Sequence, residues 1–183
     1  MREVAQEERT ALDVPSNGPL DPYRLAAEHG IPVYPINELT DAGCSEAAIR
    51  HFTEISPSVW SAALLPVGRR RIIVENPAHT LARRRASIAH ELGHHLLEHV
   101  FDELLITDDG CRRFDPTQEK EAKFISAELL IPGKAALRAA FAEKTNAQVA
   151  GEFGVSEQFA QMCMAGPRIV ARRALAKQNQ LKS

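Results

Sequence analysis

The chain has 183 residues, of which 44% are hydrophobic and 25% are charged, a composition typical of one ordinary globular domain. Its formal net charge of −2 provides no overall basic field, which disfavours a dedicated nucleic-acid-binding protein. The sequence has no uncharged apolar run of about 18 residues and no apolar signal core near its charged N-terminus. We therefore expect neither a membrane span nor secretion.

The cysteines support a reducing environment. Cys44, Cys111 and Cys163 are odd in number, far apart and without a C-x-x-C pair. Such spacing does not form a disulfide framework, so a cytoplasmic location is expected. Each cysteine is interpreted as a small packing residue rather than a nucleophile.

The first part of the chain predicts an arm, a helix and an edge strand. Residues 1–19 are polar and punctuated by proline and glycine, which predicts a flexible N-terminal arm. Asp21 and Pro22 form a cap followed by proline, so a helix begins there and ends at Gly30. Residues 31–36 contain two prolines and are therefore predicted to be extended at the edge of a sheet.

The middle of the chain predicts a hairpin followed by a long helix. The predicted elements are a short helix at about 44–52, strands Val59–Leu65 and Arg71–Val74, and a turn at 66–69. Asn76 and Pro77 repeat the pattern of a cap followed by proline, so the long helix is predicted from Pro77 to about Leu104.

Loops and further helices are predicted for the rest of the chain. The predicted elements are a loop at 102–117, helices at about 118–131 and 134–143, and two short helices within 145–163. The last pair, around Gly154, resembles a helix-turn-helix, but it contains no lysine or arginine for phosphate contacts. The basic tail after Pro167 is predicted to be a solvated helix that frays.

The long helix carries the motif His90-Glu91-Leu92-Gly93-His94, which has the form H-E-x-x-H. Residues four apart on a helix point the same way, so His90 and His94 can bind one metal ion. Glu91 follows the first ligand and can reach a water on that ion. The nearby His95 and His99 are expected to be packing residues or partners of the ligands rather than ligands.

A third ligand must come from another element. The long helix carries apolar residues on the face opposite the two motif histidines and also beside those histidines. Both faces are therefore predicted to be buried. Catalytic zinc normally takes three protein ligands. The helix at 118–131 offers Glu119, Glu121 and Glu128, and the first two point about 200° apart, so both cannot bind equally.

The motif and the later helix together resemble the ImmA/IrrE family of zinc metallo-endopeptidases. The resemblance rests on His90–His94, on EKEAKFI at 119–125 and on LLIP at 129–132, and it covers roughly residues 20–165. It implies that Glu121, the glutamate before the alanine, is the third ligand, ahead of Glu119 and then Glu128. Lys123 stands where the family usually has asparagine, which removes a hydrogen bond behind the ligands.

The expected fold class is α+β: a small antiparallel or mixed sheet of about three strands on a zincin-like helical core with the HExxH helix, plus C-terminal helices. Residues 20–144 are expected to form the metallopeptidase domain. Residues 145–183 are expected to form a helical, helix-turn-helix-like segment packed on the same domain.

The resemblance implies a zinc endopeptidase. Its metal ligands are His90, His94 and Glu121, and Glu91 is the catalytic base. The ion is expected to be Zn²⁺, with Mn²⁺ or another divalent ion as a substitute. The implied substrate and partner is an Xre-type helix-turn-helix repressor, whose cleavage relieves repression in a stress response or mobile element.

Other readings stay open. No direct contact with nucleic acid or membrane is expected, and a monomer is favoured. One alternative is a non-proteolytic, metal-containing module that binds a repressor or DNA through residues 145–163. Another is a zinc hydrolase that acts on small molecules.

Overall fold

A computed structural model describes residues 1–99 and 115–180, which form an α+β fold. Its helices are α1 (Arg2–Ala11), α2 (Pro22–Glu28), α3 (Glu46–Arg50), α4 (Leu81–Leu96), α5 (Pro116–Leu130), α6 (Gly133–Phe141), α7 (Asn146–Phe153) and α8 (Glu157–Gln180). Its strands are β1 (Val33–Pro35), β2 (Ala62–Val67) and β3 (Arg70–Glu75). The predicted α+β class with a small mixed sheet is confirmed.

The sheet has the order β1-β3-β2. The central strand β3 pairs with β1 in parallel and with β2 in an antiparallel hairpin. The hairpin turn needs only Gly68 and Arg69, and Gly68 has a left-handed φ of 59° that a tight turn requires. Leu64 and Ile73, paired across β2 and β3, are fully buried. Within the part of the chain that the structure describes, β1 and β2 are therefore the outer strands of the sheet.

Helices α4 and α5 connect the two apolar cores of the molecule, because each helix contributes side chains to both cores. One core is formed by α1, α2, the sheet and the side chains of Ile88 and Leu92 on α4. The other core contains α6, α7, α8 and Ala89 of α4. The position of α5 relative to α4 is therefore constrained from both sides.

The N-terminus corrects the predicted flexible arm. Residues 2–11 form α1, which packs against α5, with Ala5 and Leu12 buried. Arg9 is also buried, and its guanidinium donates to the backbone carbonyls of Leu129, Pro15 and Gly18. These carbonyl oxygens compensate for much of the cost of burying the charge, while Nε of Arg9 is buried without a hydrogen-bond partner among the described residues. Arginine is usually exposed to solvent, so Arg9 hid the buried face of α1 in the sequence and this helix was not predicted.

The start of α4 is also later than predicted. The helix begins at Leu81, where the Thr80 hydroxyl accepts the N–H of Arg83, and not at Pro77. The Asn76 side chain is buried and serves the preceding loop instead. Its amide nitrogen lies within hydrogen-bond distance of three carbonyl oxygens, those of Phe52, Pro57 and Trp60, which share its two N–H groups. The cap-then-proline pattern therefore marks a turn that is hydrogen-bonded to the preceding loop, and α4 begins after this turn.

The C-terminal helices pack into the second core. Helices α7 and α8 meet at Gly154, whose left-handed φ of 64° ends α7, and Phe153 and Met164 are buried between the helices. Helix α8 is much longer than predicted and reaches Gln180. Among the described residues, no helix combines the length and hydropathy needed to cross a bilayer. Cys111 and most of the predicted 102–117 loop lie outside the described residues.

Candidate metal centre

Helix α4 brings the two motif histidines together as their spacing predicts. The Nε2 atoms of His90 and His94 are 3.2 Å apart. His94 is almost fully buried and His90 is largely buried. Burial disfavours the charged imidazolium and is the main reason that the pKa of His90 lies below its usual value. A neutral imidazole is the form that binds metals.

A close crossing brings α5 over this histidine face. A Cβ at Gly93, inside the motif, would lie 2.7 Å from the Ile125 side chain and 2.9 Å from the Ala122 carbonyl oxygen. Only a glycine permits that approach, so Gly93, the fourth residue of the motif, sets the distance between α4 and α5.

Glu119, in the first turn of α5, completes the group. Its Oε1 lies 3.1 Å from His94 Nε2, and its Oε2 lies 3.4 Å from His90 Nε2. Oε1 is buried and receives no hydrogen bond from any described residue. Among those residues, His90, His94 and Glu119 form one cluster whose candidate ligand atoms all lie within 4.8 Å of each other.

This cluster fits a metal ion. Two donor atoms that bind one tetrahedral zinc at about 2.0–2.1 Å lie about 3.3 Å apart. Here the two Nε2 atoms lie 3.2 Å apart, His94 Nε2 lies 3.1 Å from Oε1 of Glu119, and His90 Nε2 lies 3.4 Å from the other oxygen, Oε2. A divalent cation would also satisfy the buried Glu119 oxygen. Two imidazoles and one carboxylate are the ligand set of thermolysin-like zinc sites.

The other two candidate glutamates lie elsewhere. Glu121 points away from the cluster, with Oε2 at 3.1 Å from His99 Nε2. Glu128 accepts hydrogen bonds from the Gly133 N–H and the Arg2 guanidinium, and so links α5 to α6 and α1. Of the three glutamates, the structure therefore brings only Glu119 to His90 and His94; Glu121, the first choice from the sequence, is not in the group.

The position of Glu119 has a signal in the sequence. It precedes the buried residues Ala122, Ser126 and Leu130 by three, seven and eleven positions. These intervals are a helical repeat, so Glu119 lies on the face of α5 that is buried against α4. The repeat is hard to see in the sequence because Ser126 is a polar residue at a position that is buried in the structure.

Glu91 is fixed by the sheet. Its Oε2 accepts the backbone N–H of Leu64, on edge strand β2, at 2.9 Å. The Glu91 carboxylate, next to His90 in the sequence, is therefore held against strand β2.

Substituting Gly93 by alanine is expected to destabilise the protein by about 1–3 kcal/mol, because the new methyl group overpacks the α4–α5 contact. It should also weaken zinc binding, since α5 carries Glu119. The free energy of unfolding in urea, measured with a chelator present, tests the first effect.

Gly151→Ala is the matched control for that substitution. Gly151 is also helical, but a Cβ there meets nothing within 4 Å. We expect this variant to gain about 0.5–1 kcal/mol from the lower backbone entropy of its unfolded state. Equal stability of the two variants would contradict the close crossing.

Comparison with known families adds an independent finding. The model of one family, the IrrE N-terminal-like domain (Peptidase_M78), matches residues 40–164. This span contains α3 to α7, both strands of the hairpin and all members of the cluster. No curated protein and no solved structure matches the chain.

Proposed function

Because this chain belongs to the IrrE N-terminal-like domain family, Peptidase_M78, we propose that it is a zinc-dependent endopeptidase. The family makes it a peptidase in general terms. The observation that supports a metal-dependent mechanism is the convergence of His90, His94 and Glu119, in which each Nε2 atom lies within 3.4 Å of one Glu119 oxygen. Zinc is the ion that this ligand set favours, and Mn²⁺ or another divalent ion can substitute.

In the proposed mechanism, His90, His94 and Glu119 hold the ion. When bound, the ion supplies Lewis acidity, which lowers the pKa of a water and polarises the scissile carbonyl. The Glu91 carboxylate takes a proton from the attacking water and then gives it to the departing amine. The Leu64 N–H keeps Glu91 oriented during both transfers.

The sheet edge supports a peptide rather than a small molecule as substrate. Among the described residues β2 is an edge strand of the sheet, and its Leu64 N–H donates to Glu91. Extended peptides bind exposed sheet edges through main-chain hydrogen bonds. A peptide that lies along β2 would therefore pass directly beside the proposed base.

We propose further that the substrate is a cytoplasmic Xre-type repressor, cut at one peptide bond so that repression is relieved. The support for this partner is the sequence resemblance to the ImmA/IrrE endopeptidases. The DNA-binding alternative has no supporting observation, because α7 and the first turn of α8 carry Glu152 and Glu157 and no basic residue.

The test uses an Xre-type repressor encoded next to this protein. We expect zinc-loaded protein to produce two fragments of that repressor, with one new N-terminus by mass spectrometry. Chelation should stop cleavage and added zinc should restore it. An Xre-type repressor from an unlinked locus is the specificity control. An intact neighbouring repressor after incubation with zinc-loaded protein would exclude it as the substrate.

A further inference from the structure

Behind the metal cluster, His94 is followed by a second imidazole and a carboxylate. The Nδ1 atom of His94 lies 2.9 Å from Nδ1 of His99. On the far side of that ring, His99 Nε2 lies 3.1 Å from Oε2 of Glu121. Both imidazoles are buried, with 4% and 6% of their residue surfaces exposed. His94, His99 and Glu121 therefore form a row of three polar groups, which begins in the cluster at His94.

The end of α4 places His99 in this row. The helix ends at Leu96, and Glu98 then takes a left-handed φ of 52°. This turn lets the His99 N–H donate to the His94 carbonyl at 3.0 Å. The His99 ring consequently folds back over its own helix, with its centroid 5.0 Å from that of His94.

Only one arrangement of protons satisfies the whole row when a metal is bound. His94 Nε2 faces His90 and Glu119, so it must offer its lone pair to the ion, which leaves the proton on Nδ1. That Nδ1–H can donate to His99 only if Nδ1 of His99 carries a lone pair. His99 is then protonated on Nε2 and donates to Glu121.

We propose that His99 and Glu121 are positioning residues that fix the tautomer and the ring orientation of His94. The proposal rests on the proposed metal site. Ligating histidines commonly donate their second N–H to a group that orients them. Here that group is an imidazole, and its own orientation is set by a carboxylate from α5.

This role gives Glu119 and Glu121 separate tasks. They lie about 200° apart on α5, which is why one can face His94 Nε2 while the other reaches His99. Helix α5 thereby contacts both ends of the row: Glu119 at the metal side and Glu121 at the far side.

The first test is zinc affinity, measured by competition with a chromophoric chelator. His99→Ala removes the acceptor and should raise the Kd for zinc by about 10–100-fold. His99→Asn places an amide oxygen near the position of Nδ1, so its Kd should lie closer to that of the parent. Glu121→Gln keeps an acceptor but loses its charge and should have a smaller effect in the same direction.

His95→Gln is the matched control. His95 belongs to the same helix, but its ring contacts Arg71 and His29 instead of the cluster. Its zinc Kd should equal that of the parent. Circular dichroism in chelator establishes that each variant is folded; should His99→Ala unfold, His99→Asn and Glu121→Gln are compared with each other and with the parent.

The second test is spectroscopic and needs no substrate. In zinc-loaded protein labelled with ¹⁵N-histidine, we expect His99 to be protonated on Nε2 alone and His94 to show a slowly exchanging Nδ1–H. His99→Ala should make that proton exchange rapidly. Co²⁺ in place of zinc should show a changed visible absorption spectrum in His99→Ala and a parental one in His95→Gln.

The outcomes separate this proposal from the proposed function. Unchanged zinc affinity in His99→Ala, or a proton on Nδ1 of His99, overturns the positioning role and leaves the metallopeptidase standing. A parent protein that binds no zinc overturns both. Weaker binding in His99→Ala, recovered in His99→Asn, supports the positioning role.

Discussion

Glu119→Gln is expected to abolish stoichiometric zinc binding, because the carboxylate is the only charged donor that faces both histidines in the described cluster. An amide is a much poorer zinc ligand than a carboxylate. The loss should exceed the ~10–100-fold that substitution of a residue behind the ligands causes. Metal content after dialysis and the zinc Kd are the measurements.

Glu121→Gln is the control for this loss, since it makes the same chemical change two positions along the same helix. It should retain one zinc per chain with at most a moderate increase in Kd. Unfolding in the presence of chelator should be similar for both variants. If Glu121→Gln lost zinc and Glu119→Gln retained it, the sequence-based choice of ligand would be right and the geometry misleading.

Glu91→Gln is expected to lower the cleavage rate by about 10²–10⁴-fold while leaving zinc binding intact, because a positioned general base contributes an effect of that size. The glutamine oxygen can still accept the Leu64 N–H that now holds the carboxylate. The shape of the site should therefore survive the substitution. The rate of fragment formation from the cognate repressor, together with zinc content, measures the two effects separately.

Glu157→Gln on α8 controls for the removal of one acidic residue and should cleave at the parental rate. A Glu91→Gln variant that cleaves as fast as the parent would remove Glu91 from the mechanism. A variant that also loses its zinc would instead assign Glu91 a structural role at the metal site.

The residues that the sequence located correctly belong to single rigid elements. His90 and His94 are four positions apart on one helix, so their proximity follows from helical geometry without any knowledge of packing. The helix cap at Asp21 and the helix end at Gly154 likewise depend on neighbouring residues alone. The strands followed from local signals too: the two prolines in residues 31–36 and the turn residues at 66–69.

Packing between elements hid other features. The buried side of α1 includes Arg9, whose guanidinium donates to the distant Leu129 carbonyl of α5 and to two carbonyls in the turn that follows α1. Asn76 was interpreted as a helix cap because its partners, in the loop around Phe52 and Trp60, are far away in sequence. In both cases a polar residue is buried because non-local partners satisfy it.

The sequence by itself determined that two imidazoles and the Glu91 carboxylate share one helix, and it predicted that a neighbouring helix supplies a further carboxylate. Only the tertiary structure decided which glutamate faces the imidazoles and which reaches His99. The reason is that spacing fixes directions within a helix, whereas the rotation of α5 about its own axis is set by its packing on α4 at Gly93. A rotation of about 200° would exchange Glu119 and Glu121.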